Sequence, residues 1–221
     1  GLTQYKEYIS TSSVSSDQDA VAVVKRVGQK LAAATEKYLI SNGLKSELSN
    51  FAWEFNLVKD KQVNAFCMPG GKIVVYEGLL SVARTEAELA VVLGHEIAHA
   101  VAKHSNERMS QQMLAEYGAQ ILGAAVSQKS EMVQSMAAQV YGLGAQYGLS
   151  LPFSRKHELE ADYMGLILMT IAGYNPDVAI GFWQKMSADG AQIPEFMSTH
   201  PSDVKRIKEI QSELPKIKKK Y

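Results

Sequence analysis

At 221 residues and 46% hydrophobic content the chain can bury one sizeable core, and its matched 23 basic and 23 acidic side chains exclude recruitment of nucleic acid by bulk charge. A single cysteine, Cys67, excludes an internal disulfide. With no His or Asn beside it in sequence, it reads as a small buried hydrophobe rather than a nucleophile.

Residues 1–16, with Ser-Thr-Ser-Ser-Val-Ser-Ser at 10–16, read as a flexible tether. The chain opens on Gly1 with no signal peptide in view, which fits a processed chain whose secretory or lipoprotein signal has been cut away. From Asp17 or Asp19 to Asn42 the apolar residues Val21, Val24, Val27, Leu31, Ala34 and Tyr38 recur at helical spacing, and Asn42-Gly43 closes the helix. Residues 51–58 alternate as a strand does, a second strand covers about 63–66, and a third, 72–76, follows the Pro69-Gly70-Gly71 turn. Thr85 with Glu88 makes a capping box for a helix over 85–103, whose apolar stripe is Leu89, Val92, Leu93, Ile97 and Val101.

Beyond Lys103 the pattern is helical almost to the end: near 105–127, 131–148, 155–172, 176–188 and 201–213. The stretch 132–154 carries no charge and has the length to span a bilayer, but Gln134, Ser135, Gln139, Gln146 and Ser150 interrupt it. A buried or lid helix is expected there rather than a membrane-facing one. Residues 17–215 read as one domain, and 216–221 as a solvated basic tail.

The chemistry concentrates at Gly94-His-Glu-Ile-Ala-His-Ala100. His95 and His99, four apart on a helix, lie about 5–6 Å apart at Cβ and can give one nitrogen each to the same ion. Tetrahedral zinc is the usual occupant, and Glu96 falls where it can take a proton from an activated water. With five histidines and sixteen glutamates, this pattern arises by chance roughly 0.008 times in such a chain. A hydrolytic zinc needs a third protein ligand, and His104, His157, Glu158, Glu160, Asp162 and His200 all lie downstream. Glu158 and Asp162 share a helix face, an arrangement that suits one ligating carboxylate and one that orients a histidine. Glu160 points elsewhere, and His104 and His157 read as structural.

The run Asn64-Ala-Phe, Pro69-Gly-Gly, Gly78-Leu-Leu, His95-Glu-Ile-Ala-His99, Ser154-Arg-x-x-Glu158-x-x-x-Asp162, Gly173-Tyr-Asn-Pro176 and Ser198-Thr-His-Pro201 resembles the zinc metallopeptidases of the CAAX prenyl protease and HtpX type, over roughly residues 20–215. That family includes soluble cell-envelope proteases involved in outer-membrane protein quality control. The resemblance implies His95, His99 and Glu158 as zinc ligands, Glu96 as general base and Asp162 as the orienting carboxylate. It gives His200 one of two roles: steadying the oxyanion, or capping zinc as a removable fourth ligand. Residues 62–68 match the family's edge strand beside the zinc, which gives Asn64 and Ala65 a main-chain role with extended substrate. Arg206 is expected to pair with substrate or with the site. The long apolar spans of the prenyl protease are missing, which sets aside a membrane-enclosed chamber.

The reading is therefore an α+β, mainly helical zincin-like domain with a small sheet packed on the metal-binding helix. It is expected to be a zinc endopeptidase, one Zn2+ per chain, acting on unfolded polypeptide in the periplasm or cell envelope, tethered through a removed signal. The alternative is a chaperone-like assembly factor for envelope proteins whose protease is latent under a His200 cap. A purely structural zinc site is weak, because such sites are closed by four ligands and usually include cysteines.

Overall fold

A computed structural model describes residues 2–68, 70–144, 151–190, 194–201 and 204–221. The chain divides into two units: residues 1–102 with 159–221, and residues 103–158.

The first unit is built on a three-stranded sheet. Strands β1 (Glu54–Val58), β2 (Ala65–Met68) and β3 (Lys72–Tyr76) stand in the order β1-β3-β2, with β1 parallel and β2 antiparallel to the centre. The period of two sorts its side chains between two faces. Phe55, Leu57, Ala65, Ile73 and Val75 enter the main core, with Cys67 packed against it. Val58, Phe66, Met68, Val74 and Tyr76 face the other way, into a second cluster with Tyr5 and Tyr8.

That second cluster corrects the expected tether. Residues Leu2–Thr11 form helix α1, and Tyr5, only 4% exposed, donates its hydroxyl to Glu54 Oε2 at 3.0 Å. Residues 13–15 then pair along β1: Ser15 N–H donates to the Leu57 carbonyl at 2.9 Å, and Lys59 N–H to Ser13 at 2.7 Å. The serines that resemble a linker are strand-like partners of an otherwise open edge.

Helix α2 (Gln18–Ser41) is capped by Asp17, whose side chain accepts from Ala20 N–H, and it crosses the core face of the sheet at Gly28. A Cβ on Gly28 would meet the Phe55 ring within 2.2 Å, so the bare backbone sets how near the helix comes. Helix α3 (Glu86–Val101) carries the expected Thr85–Glu88 capping box with both bonds present. Every residue of α3 from Leu89 to His99 is buried, far more than an amphipathic stripe requires. It lies against α2, β2 and α7 (Val178–Ala188), so packing on several sides fixes its side chains.

Three differences follow toward the C-terminus. A short helix α8 (Pro194–Thr199), absent from the sequence reading, ends at His200, whose N–H bonds the Phe196 carbonyl at 2.9 Å. Helix α9 (Val204–Lys220) outruns the expected 201–213 and absorbs most of the supposed basic tail. Its buried face, Arg206, Ile210, Leu214 and Ile217, continues at spacings of four, four and three through Pro215.

The second unit holds α4 (His104–Val126), α5 (Glu131–Gly144) and the opening turns of α6 (Leu151–Ile171), which runs unbroken into the first unit. His104 and His157 are both buried and stack with ring centroids 4.2 Å apart, and His157 Nε2 lies 3.1 Å from Glu107 Oε2. Of the two alternatives expected for the uncharged stretch, a buried or a lid helix, its described part is not the buried one: Met132 is 73% and Met136 59% exposed. Residues 145–150 of that stretch lie outside the described residues.

Candidate metal centre

His95 and His99 project from one face of α3, one turn apart, with His95 1% exposed. His95 Nε2 lies 3.0 Å from His99 Nε2 and 3.2 Å from His200 Nδ1. Zinc held by bonds of about 2.0–2.1 Å in a tetrahedron keeps its ligand nitrogens roughly 3.3 Å apart. The three imidazoles therefore already stand at the spacing of a shared ligand shell. Glu158 completes the group from one turn before Asp162 on α6: one ligand atom each from His95, His99, Glu158 and His200 all lie within 4.8 Å of one another. Three neutral nitrogens and a buried carboxylate are the donor set that zinc takes, and the residues fit it.

Asp162 decides which nitrogen of His95 is offered. Its Oδ1 accepts from His95 Nδ1–H at 2.9 Å, leaving the Nε2 lone pair facing the ligand group. Burial pushes the Asp162 carboxyl upward, but the Arg206 guanidinium outweighs it and, with the His95 bond, holds it below the usual carboxylate range. Arg206 binds Asp162 in bidentate fashion, Nε to Oδ2 at 2.7 Å and Nη2 to Oδ1 at 2.8 Å. Its Nη1 donates to the Pro201 carbonyl at 3.0 Å and to the His200 carbonyl at 3.4 Å, and the guanidinium sits 4.7 Å over the Trp183 ring. Arg206 is 4% exposed and engaged on every side. Of its two expected partners, substrate and the site, the structure pairs it with the site and not with substrate: it clamps the orienting carboxylate to the backbone that carries His200.

His200 faces two ways. While Nδ1 points into the ligand group, Nε2 lies 3.2 Å from Oε1 of Glu96, which is 3% exposed. The same imidazole thus holds a ligand position and touches the base. Cys67, on β2, is half-buried, and burial first, then the nearby Glu96 charge, pushes its thiol up. It is inert packing, as its sequence context implies.

The expected edge-strand pair separates. Tyr76 N–H donates to the Asn64 carbonyl at 3.1 Å, so the polar backbone of Asn64 is turned toward β3. In an antiparallel ladder the bonding pairs alternate, so with Ala65 opposite Val75 and Cys67 opposite Ile73, it is Ala65 and Cys67 that turn their N–H and C=O to the outer edge of β2. The backbone of Ala65 is turned away from β3 but the residue is only 1% exposed, while that of Asn64 is engaged by β3.

Four contributors escaped the sequence reading. Gly94 and Gly165 let α3 and α6 touch backbone to backbone: a Cβ on Gly165 would stand 2.9 Å from His95 N, and one on Gly94 3.0 Å from the Gly165 carbonyl. Trp183 sits edge-on to His95 at 5.4 Å, and Phe196 packs at 5.0 Å on His200. Phe196, four residues before His200 on a helical turn, had a readable signal in that spacing; Trp183 had none.

The model of peptidase family M48 matches residues 24–214. Among curated proteins, "Mitochondrial metalloendopeptidase OMA1" of Schizosaccharomyces pombe is 39% identical over 180 residues, 77% of this chain and 49% of that one. "Metalloendopeptidase OMA1, mitochondrial" of Homo sapiens is 30% identical over 175 residues, 76% of this chain and 33% of its own. "Beta-barrel assembly-enhancing protease" of Yersinia pestis is 31% identical over 174 residues, 75% of this chain and 35% of its own. The chain thus spans about half or less of the length of these relatives. It belongs to peptidase family M48.

Proposed function

Taking membership of that family as the premise, we propose that the chain is a zinc-dependent endopeptidase that cuts unfolded or extended segments of other proteins within a cell-envelope compartment, the periplasm, in the service of protein quality control. The observation that carries the reading is the convergence of His95 Nε2, His99 Nε2 and His200 Nδ1 beside Glu96. The relatives' names support proteolysis by a metalloenzyme.

Zinc held by His95, His99 and Glu158 would supply Lewis acidity, lowering the pKa of a water to about 7 and polarising the scissile carbonyl. The chain's own groups do the rest. Glu96 accepts the proton of the attacking water and returns it to the leaving amide nitrogen. Asp162 keeps the His95 proton on Nδ1, so the ring cannot turn its N–H toward the ligand group. The outer edge of β2 at the half-buried Cys67, whose N–H and C=O are turned away from β3, receives an extended peptide by main-chain bonds, which makes recognition tolerant of sequence.

His200 in a ligand position favours a second state of the same machine, in which the protease is latent and client is held uncut. Cleavage of an unfolded model protein by the zinc-loaded chain, with Glu96→Gln beside it, tests the main reading. The parent cuts, and the variant keeps its zinc but loses at least about a hundredfold in rate. Equal cutting by both, or loss of zinc in Glu96→Gln, would remove Glu96 as base.

A further inference from the structure

From Tyr117 to Gln139 the α4–α5 hairpin is exposed at most positions and almost without charge. The half-covered positions between Tyr117 and Tyr141 are Gly118, Leu122 and Val126 on α4, with Gln134, Ala137 and Tyr141 on α5. These recur at four, and at three and four, and are the seam between the two helices. Tyr141 packs so closely over Gly118 that a Cβ there would stand 2.0 Å from its hydroxyl oxygen. Every other position from Tyr117 to Gln139 is exposed. Within that span only Lys129 and Glu131, both at the turn, carry charge, although 21% of the chain does. Its exposed surface includes Tyr117 (67%), Ile121 (61%), Met132 (73%), Val133 (45%) and Met136 (59%).

We propose that this hairpin docks on a lipid bilayer, lying in the interface with those five side chains among the upper acyl chains. A helix standing in water puts charge on its solvent face. A protein partner would account for one uncharged face per helix and leave charge around the rest of the circumference. Between Tyr117 and Gln139 neither helix has charge on any exposed face away from the turn; Ala, Gly, Ser and Gln fill the remainder, and the exposed Glu107 lies nearer the start of α4, beside His157. A surface that surrounds the hairpin with headgroups and acyl chains, where each buried charge is costly, fits that pattern. Among the described residues no helix is long and apolar enough to cross a membrane. With no basic cluster in the span, attachment rests on apolar burial and not on lipid charge. The inference does not depend on the proposed catalysis.

The test is flotation of the full chain with phosphatidylcholine vesicles and with mixed phosphatidylcholine–phosphatidylglycerol vesicles, in salt from about 0.1 to 0.5 M. The parent is expected to float with both, at both salts. The Ile121→Lys/Met136→Lys double variant, altered at exposed positions and checked for an unchanged melting temperature, is expected to lose about tenfold or more of its partition. Met132→Trp is expected to gain quenching by brominated lipid over the background of Trp53 and Trp183. Any of four results would overturn the proposal: no flotation of the parent, flotation that the lysines leave intact, flotation confined to anionic vesicles at low salt, or a dimer in sedimentation that the lysines abolish while vesicles capture nothing. The last would assign the surface to a second copy of this chain.

Discussion

Replacing Arg206 with Met keeps most of the volume of the side chain and removes its charge and five N–H donors. Asp162, nine-tenths or more buried, then loses both bonds of its bidentate pair and keeps only the one from His95. Removing one member of a buried pair costs about 3–5 kcal/mol, because the charge left behind has neither water nor counter-ion. For a chain of this size that is roughly 2–4 °C per kcal/mol, or a fall of about 6–20 °C in Tm. The second effect is on metal: losing the support of an orienting carboxylate typically weakens affinity by about 10–100-fold. Thermal melts in chelator and in zinc, with chelator competition for the affinity, separate the two. Arg206→Met/Asp162→Asn should recover much of the Tm, since no buried charge is then orphaned, while the zinc affinity stays low. An Arg206 that instead met substrate would raise KM and leave both Tm and affinity alone. A fall of less than about 2 °C with unchanged zinc affinity would refute the clamp.

His200→Ala is expected to lower zinc affinity and to raise the cleavage rate, because the fourth place opens and Glu96 is released; loss of cutting with unchanged affinity would assign His200 to the oxyanion instead. Gly165→Ala puts a Cβ against the His95 backbone, and the forced separation of α3 and α6 should cost about 1–3 kcal/mol together with zinc affinity, read by melts and chelator competition. Tyr5 and Tyr174 are each pushed up to about 12, first by burial and then by Glu54 and Glu86 respectively. Both phenols ionise more easily unfolded than folded, so their contribution is complete below pH 10 and drains away between about 10 and 12; Tm should fall through that window, less steeply in Tyr5→Phe.

The parts of this molecule that were legible in the sequence are those decided within a turn or two of chain. The Thr85 capping box, the apolar periodicity of α2 and α3, and the four-residue spacings His95–His99 and Glu158–Asp162 are local statements, and the fold keeps them. Strand existence was readable from alternation, but the parallel pairing of β1 with β3 joins residues eighteen apart and leaves no local mark. Tyr5 and Tyr8 illustrate the same limit. Their segment is poor in aliphatic residues and rich in serine, so it reads as a linker, yet the far face of the sheet needs a cover and these two rings supply it. Arg206 was visible as a cation near the site, but whether it meets water, substrate or Asp162 is settled by packing across 44 residues of sequence. Asn64 and Ala65, adjacent in sequence, differ because ladder register turns one inward and the next outward, which only the partner strand fixes.

The strengths of the contacts around Arg206 say which part of the centre can give way. Two short charge-assisted bonds tie its guanidinium to Asp162, whereas a 3.0 Å and a 3.4 Å bond to neutral carbonyls tie it to residues 200 and 201. A bidentate pair of opposite charges is stronger than a guanidinium N–H on a neutral carbonyl, and the 3.4 Å contact lies beyond the usual N–H···O range. A displacement of the His200 segment therefore breaks the carbonyl contacts and leaves Arg206, Asp162 and His95 as they stand. On the proposed reading, the cap can leave without disturbing the orientation of the ligands beneath it. The ring contacts of His200 with Phe196, and of Phe196 with Trp183, set the remaining resistance to that movement. Phe196→Ala, which removes the ring against which His200 packs, should then shift the chain toward the uncapped state: faster cleavage at zinc affinity close to that of His200→Ala, with the Asp162–Arg206 pair intact.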